Sequence, residues 1–104
     1  MNTSKYSSAK KVLNTLGVSE INFGKLLKNH RLGEELTLAQ MSKVLKISIS
    51  HLSDIENERK FVSLERAKYF AKKLHQNEKY FILVVLRDQL KRANCDYEIE
   101  IKAV

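Results

Sequence analysis

The sequence predicts an all-α protein of about five to six helices followed by one C-terminal β-strand. Three observations carry that expectation. Apolar residues recur at spacings of three and four along most of the chain, and proline is absent from all 104 residues, so nothing breaks a helix from within. Ser, Thr or Asn stands ahead of several of the apolar runs, as helix N-caps do. Only the last stretch, DYEIEIK from Asp96 to Lys102, switches to strict alternation, which is a strand period.

Residues 1–18 read as a polar arm, partly helical around Ala9 to Leu16 and stopped by Gly17. Ser19 is the expected cap of an amphipathic helix carrying Ile21, Phe23, Leu26, Leu27 and His30 and ended by Gly33. Thr37 and Gln40 form a capping box for a helix from Leu38 to Leu45 whose apolar face is Leu38, Met41, Val44 and Leu45. The next segment, KISISHLSDIENERK, is ambiguous: Ile47 to Ser50 alternate like a strand, whereas Leu52, Ile55 and Glu56 fall at helical spacing. An N-cap at Ser48 resolves the conflict, because helix then starts at Ile49 and runs to about Asn57, with Ile47 left in the turn.

Ser63 is the expected cap of a helix from Leu64 to His75, with Leu64, Ala67, Phe70, Ala71 and Leu74 in one stripe. Asn77 opens a last helix to about Ala93; its β-branched run suits a strand, but the continuation RDQLKRA favours helix. Apolar residues surround that cylinder on all sides, more than one core covers. Phe81, Ile82 and Val85, with Tyr97, Ile99 and Ile101 of the strand, are therefore expected at an interface between two copies. A lone strand has no ladder within its own subunit, and pairing with its own copy gives a twofold dimer. The chain thus divides into an arm (1–18), a central domain (19–76) and a dimerisation segment (77–104).

Hydrophobic residues make up 43% and charged residues 30%, the balance of a globular domain rather than a disordered or membranous chain. With 104 residues there is room for one small core and little for a large catalytic cleft. The longest apolar run, Tyr80 to Leu86, is too short to cross a bilayer, and no secretion signal is visible, so a cytoplasmic location is expected. The single cysteine, Cys95, fits a reducing compartment and a packing role. Lys and Arg number 19 against 12 Asp and Glu, a formal charge of +7. That excess suits nucleic acid as a partner, or simply a lysine-coated surface.

Two short helices joined by Lys46-Ile47-Ser48 make a helix-turn-helix, and the second carries Ile49, Ser50, Ser53 and Asp54 on its outward side. Such a face can enter the major groove. From Phe23 to Leu74 the residues FGKLLKNHRLGEELTLAQMSKVLKISISHLSDIENERKFVSLERAKYFAKKL resemble, without a gap, the Cro/C1-type regulators, the XRE family that includes lambdoid phage repressors. The matching features are Phe23-Gly24, Arg31, Leu36-Thr37, the two motif helices and Glu56-Asn57.

This resemblance implies a lambda-repressor-like bundle and a dimeric, sequence-specific DNA-binding regulator, by default a repressor at a pseudo-palindromic operator. It places Ser48, Ile49, Ser50 and Asp54 at base-reading positions, Ser53 at a base or phosphate contact, and Asn57, Arg59 and Lys60 at phosphates. Arg31 and Glu56 fall where family members hold a partly buried structural ion pair. Departures from the pattern are Leu38 for a phosphate-binding Gln, Lys46 for the turn glycine, Glu58 for the glycine after Glu-Asn, and Val62 for a proline. Some members, antitoxins among them, also append a strand across the dimer, which adds a toxin-like protein to the candidate partners beside double-stranded DNA and a second copy.

An enzyme is the weakest reading. His30, His51 and His75 lie on separate helices without metal-ligand spacing, no glycine-rich phosphate loop exists, and neither a catalytic residue nor a cofactor is implied. The stronger rival is a protein-interaction module that keeps the fold without DNA binding, which Leu38 and Asp54 favour and the Arg59-Lys60 pair opposes.

Overall fold

The computed structural model describes residues 21–102 and 104 and contains, among them, five α-helices and no strand. The first, α1, spans Phe23–Gly33; the side chain of Asn22, not a residue nearer Ser19, caps it by accepting from the Lys25 N–H. Ile21 precedes the helix, so the expected start was early, and Ser19, like the arm with its helix at Ala9 to Leu16, lies outside the described residues. The Phe23 N–H, an orphan of the first turn, donates to the Asp88 carboxylate at 2.8 Å. A contact 65 residues away thus helps fix where α1 begins.

The second helix, α2, spans Leu38–Leu45 and has the full capping box: Gln40 N–H donates to Thr37 Oγ1 and Thr37 N–H to Gln40 Oε1. Lys46 closes it in the left-handed region, φ 56° and ψ 43°, the conformation a glycine adopts without strain. Ser48 then caps α3, Ile49–Glu56, accepting from the His51 N–H at 2.9 Å. The strand-like stretch is a turn plus a cap. Glu58, at φ 61°, also occupies the left-handed region.

Ser63 caps α4, Leu64–Lys73, which ends short of His75 because Leu74 leaves the helix and His75 turns to φ 54°. Asn77 caps α5, Glu78–Arg92, so the β-branched run is helical. Residues 96–102 form neither helix nor strand in the single chain, where Tyr97 is 75% exposed and Ile99 and Ile101 are half-buried. Cys95 is half-buried, its thiol 3.7 Å from the Ala93 carbonyl oxygen.

The helices enclose one core, with α4 against α5 its most extensive contact and α1 crossing both α3 and α5. Phe23 bridges the halves, edge-on to Phe81 at 5.4 Å and stacked with Phe70 at 6.4 Å. At the α1–α3 crossing the backbones touch: a side chain on Gly24 would strike the carbonyl oxygen of Ile55. Phe81 and Val85, expected between two subunits, belong instead to this core and are almost wholly buried. Only one side of α5 packs inward, and both lie on it. In the opposite direction, Val44 and Leu64, expected inside, are exposed on their helices. No helix among the described residues is long and apolar enough to cross a membrane.

Candidate nucleic-acid interface

The two sides of α3 differ sharply. Leu52, Ile55 and Glu56 are buried, whereas Ser48, Ile49 and Ser50 are exposed, Ile49 by 50% of its surface, and Ser53 and Asp54 are partly so. An exposed isoleucine beside two serines at a helix start makes no contribution to this core. Its surroundings are a small, uncharged surface able to meet base edges.

Behind that surface an ion pair anchors the far end of α3. Arg31 Nε donates to Glu56 Oε2 at 2.8 Å and Nη2 to Oε1 at 3.0 Å, while Nη1 donates to the Leu36 carbonyl at 3.1 Å. The side chains are 11% and 3% exposed. The Glu56 hydrogen bond raises the Arg31 pKa against the lowering effect of burial, so the guanidinium is held charged. With two parallel bonds in a shielded site, this pair ties α1 to the end of α3.

Beyond Glu56 the chain folds back on the helix. Arg59 Nε donates to Asp54 Oδ1 at 2.8 Å and its Nη2 lies 3.4 Å from Ser53 Oγ, while Lys60 Nζ stands 3.8 Å from Asp54 Oδ2. Asn57 Nδ2 donates to the Ser53 carbonyl at 2.8 Å. The Arg59 bond, then the positive charges of Arg59 and Lys60, hold the Asp54 carboxyl below its usual range, so it is an anion at neutral pH. Asp54 is therefore already engaged by its own chain, and the Asn57 amide is turned back into the helix rather than outward. Arg59 and Lys60 remain largely exposed beside them. Leu38, at the start of α2, packs against the core.

Arg66 was missed in the sequence, and His51 was read there only as a helix surface residue near DNA or the dimer, without metal-ligand spacing. His51 and Arg66 meet across α3 and α4, Arg66 Nη1 lying 3.2 Å from His51 Nδ1 and 3.3 Å from Nε2. Burial first, then Arg66 and Lys60, lower the His51 pKa, with Asp54 opposing, so the ring is neutral at pH 7. Each is the third residue of its helix, three places after Ser48 and Ser63. That shared spacing was the available signal.

A cavity of about 160 Å³ lies behind the loop, lined by Phe61, Val62, Asp88 and Arg92 among others. Arg92 stacks on Phe61 at 3.7 Å, and burial raises the Asp88 carboxyl, with the Phe23 bond opposing. Among the described residues no three His, Cys, Asp or Glu side chains converge as metal ligands. No protein-family model, curated protein or solved structure matches the chain.

Proposed function

We propose that the protein is a sequence-specific DNA-binding transcriptional regulator with a Cro/C1-type, lambda-repressor-like helix-turn-helix, acting as a dimeric repressor. The observation that supports it best is the asymmetry of α3: one side buried and locked by Arg31–Glu56, the other exposing Ser48, Ile49 and Ser50, with Arg59 and Lys60 at its end. A rigid helix with small side chains outward and cations at its margin suits base reading in the groove flanked by phosphate contacts. In this reading the serine hydroxyls bond base edges and Ile49 meets a thymine methyl. Asp54 accepts from a cytosine amino group with the lone pairs that Arg59 leaves open.

The dimer rests on Ile82, half-buried on α5, and on the alternating Tyr97, Ile99 and Ile101, with the two terminal segments pairing as strands. Fluorescence anisotropy of duplex from upstream of the coding gene, competed with scrambled duplex at two salt concentrations, tests the whole reading. A preference that survives added salt supports it; binding that salt erases without preference counts against it.

A second reading, an interaction module holding a protein partner, is favoured by one observation. Asp54 neutralises the two cations nearest the helix, Arg59 and Lys60. Absence of duplex binding by the folded protein in the same experiment would select it.

A further inference from the structure

We propose that His51 and Arg66 form a clamp for one DNA backbone phosphate, and that closing the clamp takes up a proton on His51. The inference rests on the DNA-binding reading, which it extends to two residues and a pH response.

The contact geometry carries it. Arg66 Nη1 is nearly equidistant from both ring nitrogens of His51, at 3.2 and 3.3 Å. A donor in the plane of an imidazole cannot be equally near both nitrogens at that range without running into the carbon between them. The guanidinium nitrogen therefore lies over the ring face and not in line with either lone pair. Among the described residues neither ring nitrogen has another hydrogen-bond partner.

The charges around the pair point to what that partner is. Acting on the ring are Arg66 from α4, Lys60 from the α3–α4 loop and Asp54 from α3 itself. Asp54 is held by Arg59 and Lys60, and among the described residues no carboxylate lies within ion-pair distance of Arg66. Two side chains that can both be cationic thus lie together at the margin of α3, with only Asp54, itself held by Arg59 and Lys60, as a nearby acid. An anion with several acceptor oxygens would bond the guanidinium and an in-plane ring N–H together. The position beside α3 makes a phosphate of the bound duplex that anion.

The free ring is neutral at pH 7, because burial first, and then the charges of Arg66 and Lys60, disfavour its charged form against the opposing effect of Asp54. A phosphate reverses that balance, so the ring gains a proton from solvent on binding. Linkage then requires tighter binding as pH falls, by up to about tenfold per pH unit for one proton.

A phosphate clamp ignores sequence, so a labelled mixed-sequence duplex at low salt suffices. Its Kd is measured at about pH 8 and about pH 6, within the window where histidine titrates. Expected is a several-fold gain for the wild type on acidification and none for His51→Gln, which falls furthest below the wild type at the lower pH. Arg66→Gln should weaken binding at both and lower the salt slope by about one. In parallel, NMR titration of the His51 ring should show its pKa rising when duplex is added. Equal pH responses of wild type and His51→Gln, or an unmoved ring pKa in the complex, overturn the clamp. Failure of the folded wild type to bind any duplex overturns both clamp and DNA reading. Proton-coupled binding without sequence preference rejects the operator reading alone.

Discussion

Asp54 sets the electrostatic character of the outward side of α3, because its carboxylate holds Arg59 and stands near Lys60. Replacing it with Asn frees both cations and removes a charge that repels phosphate. Asp54→Asn should bind mixed-sequence duplex several-fold more tightly, with a steeper salt dependence, while losing discrimination among sites. Titrations at two salt concentrations check this, and unchanged affinity would detach the pair from DNA contact. Arg31 and Glu56 act on stability instead. Glu56→Gln breaks a shielded pair and should cost about 3–5 kcal/mol in chemical denaturation.

Asp88 gives a stability change with pH whose sign is fixed. Its carboxyl is raised by burial, so the folded chain holds that proton more tightly than the unfolded one. The resulting stabilisation is full below the ordinary carboxylate range and is lost as pH rises through the raised value. Asp88→Asn keeps an acceptor for the Phe23 N–H and should flatten that decline, whereas Asp88→Ala strands the N–H at a cost of about 1–3 kcal/mol. Urea denaturation at about pH 4, in the ordinary carboxylate range, and at about pH 7 separates the two.

At the scale of elements, most of the helices were legible because their caps are local. Thr37, Ser48, Ser63 and Asn77 each accept from an N–H three residues on, a contact that needs no tertiary structure. The start of α1 was less legible, since it also depends on Asp88 from the far end of the chain. Faces were harder than boundaries: Val44 and Leu64 have the right period but point where no neighbouring helix covers them. The Asp54–Arg59 bond spans five residues, outside the three-or-four spacing of a helix. It exists because the chain turns left-handed at Glu58, which no apolar pattern signals. Lys46 is a strained position that a glycine would relieve, so Lys46→Gly should stabilise by about 1 kcal/mol in thermal unfolding. Gly24→Ala should do the reverse, by forcing α1 away from the Ile55 carbonyl.

For the whole molecule, the burial of Phe81 and Val85 moves the question of assembly outward, to the remaining surface of α5 and the terminal segment. Both were misplaced because an apolar run without a polar side does not say which side the core takes. If residues 96–102 pair between copies, truncation after Asn94 should weaken the dimer in sedimentation, and an unchanged dimer would remove the strand from the interface. The central claim is that α3 reads DNA sequence from a twofold molecule. Selection of binding sites from a randomised duplex pool tests this most directly. Expected is one enriched motif made of inverted half-sites centred about 34 Å apart, roughly one helical turn, with Ser50→Ala altering its bases. A pool that stays random after repeated rounds with folded, dimeric protein would contradict the claim.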